Sequence, residues 1–411
     1  MNRLQIEARR ASGQAVAKRF EAKIRRVGNI WVVPSTRSGR KQYEVDLDPT
    51  NLSCTCPDHA ETGEKCKHAY AVEYLIAGTP EPNTLLQVDR PKRPTYRRSW
   101  DQYNAAQISE EREFSPILSI LCGTIPRQVQ RSGRPRAPIG DVVFSAVTKV
   151  FLTKSARRVM SRLKSAHEDG YLERPMTFNS LLGRMAKPEL TQVLHELLIK
   201  SSLPFRSLET SFAIDSTGVA GNRFVRWTDV KYRGVTEHLW AKVHLMCGVK
   251  THIITAAAIL DRDASDVAQL PELLDQTAEN FTVRQVCADA AYNSVKNQEK
   301  IAAIGAQAFI PFKTTHTGKR GGLWSEKYRA WQEDRETFLK HYHQRSNVET
   351  AIMMWKTSFG DSLRSKTEIA MKNELYCKLI CHNISCLIKG MYELKIGPEF
   401  LAESLVGDAS D

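Results

Sequence analysis

Two cysteine-containing pairs lie close together near the start of the chain. Cys54-Thr-Cys56 is followed, after nine residues, by Cys66-Lys-His68. Three thiolates and one imidazole suit tetrahedral zinc, and residues at i and i+2 of an extended chain project to the same side. Because four protein ligands complete the coordination, the spacing predicts a structural zinc site. Two alternatives are incidental buried cysteines and a competing ligand, His59.

Three acidic residues are placed where a second kind of metal site could form. Asp215 ends the strand-like run SFAID, and Asp289 stands at the end of the run VRQVCADA, one residue before its last. Glu349 lies in a helical segment nearer the C-terminus. Sites in α/β sheets gather at the carboxyl ends of strands. Three carboxylates would form an oxygen-rich site for Mg²⁺ or Mn²⁺, and two such ions can assist phosphoryl transfer. Each acid taken alone is also explained by capping, as Asp266 is, or by a surface ion pair.

The segment HYHQRSNVETAIMMWKTSFG, residues 341–360, is interpreted as one helix carrying two adjacent stripes. At 3.6 residues per turn, spacings of three, four and seven put four residues on one narrow face: Tyr342, Arg345, Glu349 and Lys356. Beside them runs an apolar stripe, which predicts a contact with the core: Val348, Ile352, Trp355 and Phe359.

The surrounding elements predict how these residues are positioned. From about residue 208, three strand-like runs, SFAID, HLWAKVHLMCGV and HIITAAAIL, precede the helical DVAQLPELLDQTAEN. The strand VRQVCADA, the helix SVKNQEKIAAIG and the strand AQAFIPF follow. This order predicts an α/β domain with a mixed sheet.

Two family resemblances follow from these motifs. Two strand-like runs, CxC, CxH and the helical HAYAVEYLIAG, over residues 28–78, resemble the SWIM zinc finger, which implies nucleic-acid or protein binding. The order Asp, Asp, Glu resembles the DDE transposases of prokaryotic insertion sequences, over residues 208–390. The stripe matches their YREK signature at every spacing.

The transposase resemblance implies a ribonuclease-H-like core, two Mg²⁺ or Mn²⁺ ions and a chain that binds element ends and target DNA, as a homodimer. It implies metal binding by Asp215, Asp289 and Glu349. It also implies that Arg345 and Lys356 hold DNA phosphates and that Tyr342 supports the DNA end. Some relatives carry a β-rich insertion before the Glu that manages a DNA hairpin. The 59 residues between Asp289 and Glu349 are too few for it.

The chain is predicted to divide into five parts. A basic helix, predicted over residues 1–28, and the zinc-binding domain together span 1–78, and a Pro-rich, basic linker spans 79–104. A mostly helical, DNA-binding domain spans 105–205, with a helix-turn-helix that could lie within 140–200. The catalytic α/β domain spans 206–395, and a tail without a chemical role spans 396–411.

Composition and charge support a DNA-acting protein. Formal net charge is +13 over 411 residues, which favours a polyanionic partner. Further DNA contacts are predicted at residues 91–98, 131–136 and Phe312–Gly322, with solvated linkers or loops as the alternative. No apolar run is long enough for a signal peptide or a membrane span, so the sequence predicts a cytoplasmic protein. Nine cysteines without an export signal fit a reducing compartment, the other six being core residues: Cys122, Cys247, Cys287, Cys377, Cys381 and Cys386.

The favoured function is therefore a transposase that cuts element ends and joins the 3′-OH to target DNA. One alternative is a ribonuclease-H-like nuclease that cleaves without joining. Another is a non-catalytic, zinc-dependent DNA-binding protein derived from a transposase.

Overall fold

The computed structural model of the protein describes residues 3–36, 41–48, 52–76, 99–127, 136–221, 240–261 and 265–398. The chain forms two compact units, 1–97 and 98–411. The basic segment predicted at 91–98, most of the one at 131–136, most of the predicted linker and most of the tail lie outside the described residues.

The first unit is a small sheet with helices. Its elements are α1 Arg3–Phe20, β1 Arg25–Val27, β2 Ile30–Pro34, β3 Gln42–Asp46, β4 Ser53–Cys54, α2 Pro57–Thr62 and α3 Lys67–Ile76. The strands pair antiparallel in chain order. Alternation buries Val33 and Val45 completely. Helices α1 and α3 approach so closely that a Cβ on Gly13 would lie 2.5 Å from Tyr70 Cβ.

The basic N-terminal helix is shorter than predicted. It ends at Phe20, a 3₁₀ turn covers Glu21–Lys23, and β1 then pairs with β2 from Val27↔Ile30 outward. The two residues between those strands are Gly28, whose φ is +63°, and Asn29. A two-residue Gly-Asn hairpin loop fixes the strand pairing, and the ladder overrides the helical pattern of residues 24–28.

The second unit begins with helices: α4 Trp100–Gly123, α5 Ile139–Phe151, α6 Ala156–Glu168, α7 Phe178–Met185 and α8 Pro188–Ser202. Helix α4 starts inside the predicted linker 79–104. Helix α5, IGDVVFSAVTKVF, is buried nearly all round, as its apolar sequence requires. Helices α5 to α8 occupy the range 140–200, where the helix-turn-helix remains a prediction.

The sheet that follows is mixed and has the order β7-β6-β5-β8-β9. Its elements are β5 Ser211–Ala220, β6 Trp240–Gly248, β7 Ile254–Asp261, α9 Asp266–Ala278, β8 Gln285–Cys287, α10 Val295–Ala303 and β9 Gln307–Phe309. Strand β5 pairs antiparallel with β6 and parallel with β8. The first strand therefore lies in the centre of the sheet, and the sheet is mixed, as the βββαβαβ order predicted.

Helices complete the chain: α11 Gly322–Glu333, α12 Arg335–Tyr342, α13 Ser346–Phe359 and α14 Glu368–Leu394. The single helix predicted over 341–360 is interrupted by a 3₁₀ turn at His343–Arg345. Between Asp289 and Glu349 the sole strand is β9, which belongs to the main sheet, so no β-rich insertion is present. No helix among the described residues is long and apolar enough to cross a membrane.

The helical region and the sheet share one hydrophobic core. Helix α14 packs on α4, α5 and α8 and also on β7. Its Asn383 accepts from Ile254 N at 2.9 Å and donates to Ile254 O and Ser201 Oγ at 2.8 and 2.9 Å. The boundary predicted at 205–206 therefore lies within a continuous core.

Candidate active site and metal centre

The four predicted zinc ligands come together in the first unit. Their ligand atoms all lie within 4.8 Å of one another, and all four residues are buried: Cys54, Cys56, Cys66 and His68. The antiparallel pairing of β4 with β3 places Cys54, and Cys56 begins α2. Cys66 and His68 stand at the start of α3. His59 is not a member of the group, because its Nδ1 lies 2.8 Å from Glu64 O.

The cluster has the donors and polarity of a closed zinc site. His68 Nδ1 lies 4.0 Å from Cys54 Sγ and 3.9 Å from Cys66 Sγ. The hydrogen bond from Cys54 lowers the pKa of Cys66 to about 3, while the same pairing raises the pKa of Cys54. One thiolate is thus favoured before any cation is bound, which is the form that zinc takes up. The other six cysteines are buried, as predicted.

In the second unit, strand register brings Asp215 beside Asp289. Strands β5 and β8 are paired in parallel as far as Ala213↔Cys287, and each aspartate stands two residues further on. Adjacent strands lie about 4.8 Å apart, and side chains two residues apart share a face. Strand β5 continues to Ala220, so Asp215 lies within the strand and not at its predicted end. Asp289 caps the 3₁₀ turn Ala290–Tyr292 by accepting from Ala291 N.

Arg345 joins the third acid to this edge. Its guanidinium donates to Asp215 Oδ2 at 2.8 Å and, through its other terminal nitrogen, to Glu349. Glu349 lies in the first turn of α13, where the helix dipole favours a carboxylate, and its side chain is 53% exposed. Asp215 and Arg345 are each only 20% exposed. The arginine therefore holds the start of α13 against β5.

The apolar stripe of α13 is buried as predicted, with Val348 and Trp355 completely so. Helix α13 packs on β5 and β6 along this stripe. Two turns after Glu349, Lys356 Nζ donates to Thr217 Oγ1 at 2.6 Å and to Gly218 O at 2.9 Å.

Tyr342 belongs to α12, before the 3₁₀ turn, where its ring stacks on Phe338 with centroids 6.2 Å apart. Arg345, Glu349 and Lys356 of the predicted face therefore lie beside β5. Tyr342, the fourth residue of that face, lies on the other side of the 3₁₀ turn.

Concentrated negative charge marks this edge of the sheet. The pKa of Asp215 is raised, mainly because burial disfavours the charged form and further because Asp289 and Glu349 are near. The Ser216 N–H and Arg345 oppose that rise. Like-charged carboxylates that share a site destabilise one another unless a cation lies between them.

Comparison with protein families assigns both regions. Residues 206–384 match the family model of the transposase DDE domain. Residues 43–77 match the SWIM zinc finger. The chain carries a transposase DDE domain and a SWIM zinc finger. Both resemblances drawn from the sequence are confirmed. No solved structure matches the chain.

The DDE domain is a transposition nuclease domain that acts on DNA. It implies a ribonuclease-H-like core and a divalent metal, and the mixed sheet flanked by helices agrees with that core. The three carboxylates fit a divalent ion in donor type. Of the described residues, only the SWIM cluster gathers three or more ligands closely enough to hold an ion as it stands. At the DDE edge, the edge of the sheet that carries Asp215, Asp289 and Glu349, Arg345 contacts one oxygen of Asp215 and one of Glu349.

Several positioning residues of the DDE domain carried no sequence signal. Gln285 Nε2 donates to Gln344 Oε1 at 3.1 Å, and Gln285 Oε1 lies 3.0 Å from His341 Nδ1. These contacts fix the 3₁₀ turn against β8. Asp266, interpreted as an N-cap, is the first residue of α9 and pairs with Lys242 Nζ at 2.8 Å. Polar side chains such as these position the site only through contacts with residues far away in the sequence.

The basic loop Phe312–Gly322 is fastened to α11. Phe312 and Trp324 are buried with ring centroids 4.8 Å apart, and Trp324 Nε1 donates to Thr317 O at 2.8 Å. Lys319 and Arg320 stay exposed. The predicted DNA contact of this loop remains a prediction.

Proposed function

We propose that the protein is a DNA transposase that cuts the ends of an insertion element and joins the 3′-OH to target DNA by metal-dependent phosphoryl transfer. The observation that carries this proposal is the common edge formed by β5, the end of β8 and the start of α13. That edge brings Asp215, Asp289 and Glu349 together with a single arginine, Arg345. The match to the transposase DDE domain supports it.

Some residues of the site would bind the metal ions, and others would bind the DNA. Asp215, Asp289 and Glu349 would hold two Mg²⁺ or Mn²⁺ ions, which when bound supply Lewis-acid activation of the attacking and leaving oxygens. Arg345 would exchange a carboxylate for a DNA phosphate, since a guanidinium matches both geometries.

Lys356 and Tyr342 would act on the DNA next to that edge. Two N–H groups of Lys356 hold β5, which leaves its third for a phosphate. Tyr342 would support the DNA end from α12.

Zinc in the SWIM finger would be structural, with that unit adding DNA contacts. The active form would be a homodimer bridging two element ends, acting in the cytoplasm. The nuclease without joining and the non-catalytic DNA-binding protein are the two competing functions.

The test is a strand-transfer assay on DNA that carries the ends of the protein's source element, with Mg²⁺ or Mn²⁺. We compare the native chain with Asp289→Asn, which keeps shape but loses charge. Asp275→Asn is the matched control, because Asp275 is half exposed and pairs with Lys300 at 2.6 Å on the α9–α10 layer. We expect joined product from the native chain and the control, and none from Asp289→Asn.

Other outcomes separate the competing functions. Cleaved but unjoined DNA would favour the nuclease. Binding without cleavage would favour the non-catalytic protein. Full activity of Asp289→Asn would remove Asp289 from the metal site.

A further inference from the structure

A cavity of about 350 Å³ opens beside α13, away from the three carboxylates. Its walls are the last turn of α5 with the residues after it, the end of α13, the loop 360–364 and two residues of α14. The loop is fixed in place, because Leu363 N donates to Ala220 O at 2.9 Å at the end of β5. The cavity thus belongs to the same rigid layer as the DDE edge.

Lys149 contributes a positive charge to the wall of this cavity. It lines the cavity and is only 5% exposed. No described residue offers Lys149 a hydrogen bond or a carboxylate within ion-pair distance. Because the Nζ of Lys149 has no partner among the described residues and is still not fully enclosed, the ammonium opens into the cavity. Lysine is rarely buried unless it is paired. An anion in the cavity would supply the missing partner.

The other cavity-lining charges do not supply that partner. Lys154, Arg364 and Lys378 add three more cations. Glu374 is committed to the loop, since it accepts from Arg364 N at 3.0 Å and from Ser365 N at 2.8 Å. Asp361 is exposed. Cations therefore outnumber carboxylates four to two around the cavity.

Lys378 adds a donor beside Lys149. Its Nζ donates to Gly360 O at 2.6 Å and to Ser362 O at 2.9 Å, which leaves one N–H. Burial, with a smaller contribution from Lys149, lowers the pKa of Lys378 to about 8. Two lysines thus line the same cavity.

Backbone strain coincides with this site. Thr153, on the cavity wall, has a φ of +49°, an unfavourable conformation for a β-branched residue. This conformation ends α5, since Lys154 N donates to Lys149 O at 3.3 Å as in a helix C-cap.

The cavity lies at the C-terminal end of α13, whose first turn carries Glu349, and Ser358 is on the opposite side of the helix from Glu349. Nine residues of α13 separate Glu349 from Ser358 on the cavity wall, roughly 13 Å at 1.5 Å per residue. Lys356 lies between them. One DNA strand carries a phosphate about every 3.4 Å of helix axis, so this distance corresponds to roughly four nucleotides.

We propose that this cavity binds a backbone phosphate of DNA through Lys149, roughly four nucleotides from the phosphate that reacts at the DDE edge. The proposal rests on the proposed function for the identity of the polyanion. It adds a second anchor that fixes the direction in which the strand leaves along α13.

The test measures DNA binding and not catalysis. Fluorescence anisotropy over a salt series compares the full-length native chain with Lys149→Met on a short duplex of arbitrary sequence. Lys300→Met is the control, because Lys300 lies on the α9–α10 layer and is paired with Asp275. Losing one phosphate contact should weaken binding and reduce the slope of log K against log salt by about 0.9. The control should keep the native slope.

A melting curve and a second variant separate lost phosphate binding from misfolding. Lys149→Met should melt close to the native chain, because methionine keeps the apolar stem and loses only a charge without a protein partner, so weaker binding would not reflect misfolding. Lys154→Ala, at an exposed position on the same wall, should reduce the slope in the same direction. A native slope in both variants would overturn the proposal, as would failure of the native chain to bind the duplex.

Failure of the cavity proposal is distinguishable from failure of the proposed function. A reduced slope together with no strand transfer by the native chain would keep the phosphate anchor and reject the transposase. Strand transfer together with unchanged slopes would keep the transposase and reject the anchor.

Discussion

At the residue scale, Asp215 carries a stability cost. Burial raises its pKa above the value for the unfolded chain, so the folded state binds the proton more tightly. The contribution of Asp215 to folding stability is therefore fully present below the pKa of the unfolded chain. It is lost as the pH rises through the pKa of the folded chain. At neutral pH the ionised carboxylate therefore destabilises the fold, as expected for a residue retained for binding a cation or substrate.

Asp215→Asn should consequently separate activity from stability. We expect strand transfer to fall by more than about a hundred-fold, since even groups behind metal ligands cost about 10–100-fold. The melting temperature at neutral pH should rise. Glu349→Gln is the comparison: at 53% exposed it should lose activity with an almost unchanged melting temperature. Thermal scans and strand-transfer assays measure both, and a large drop in the melting temperature of Asp215→Asn would contradict this account.

The four SWIM ligands predict which residues are needed for zinc binding. Cys66→Ser should abolish zinc binding and unfold the first unit, because a closed structural site supplies folding free energy directly. His59→Ala is the control, since His59 lies in the intervening segment but outside the cluster. Metal analysis of purified protein should find one zinc per chain in the native protein and in His59→Ala, and none in Cys66→Ser. One zinc in Cys66→Ser would show that Cys66 is not a required ligand.

At the element scale, α13 shows what local sequence can predict. The apolar stripe was predicted correctly, because helical periodicity is a local property. The end of the first strand was predicted wrongly, because β5 continues past Asp215 to Ala220. The break at His343–Arg345 was not predicted, because it depends on Gln285, about 60 residues earlier in the chain. The bridge from Arg345 to Asp215, 130 residues apart, is likewise a product of tertiary packing.

Trp355 should support strand transfer by holding α13 against the sheet. This side chain is completely buried, and its Nε1 has no hydrogen-bond partner among the described residues. Trp355→Ala should cost about 3–5 kcal/mol of unfolding free energy and should reduce strand transfer, since Glu349 would lose its support. Trp355→Phe should cost less than about 1.5 kcal/mol, because it keeps an aromatic ring and removes an unpaired N–H. Denaturant unfolding measures both, and equal losses would contradict this packing role.

At the scale of the whole molecule, the units differ from the predicted domains. Composition separates the helical residues 105–205 from the α/β residues that follow, and it predicts two domains. The structure instead unites them, because α14 buries one face on α4, α5 and α8 and also contacts β7. Contacts such as Asn383 to Ser201 join residues 182 apart, and no periodicity in the sequence signals them. The zinc unit, whose ligands lie within 15 residues, was predicted far more fully.

Truncation tests this organisation directly. A fragment 98–411 should fold cooperatively and should not respond to a zinc chelator, since the described residues of its core come entirely from that unit. A fragment 206–411 should fail to fold, because removing α4, α5 and α8 exposes a long apolar face of α14. Circular dichroism melting curves compare the two fragments with the full chain, which should show an added chelator-sensitive transition. A cooperative native-like melt of 206–411 would mean that the sheet and α14 hold together without the preceding helices, and that the predicted boundary at 205–206 separates two folding units after all.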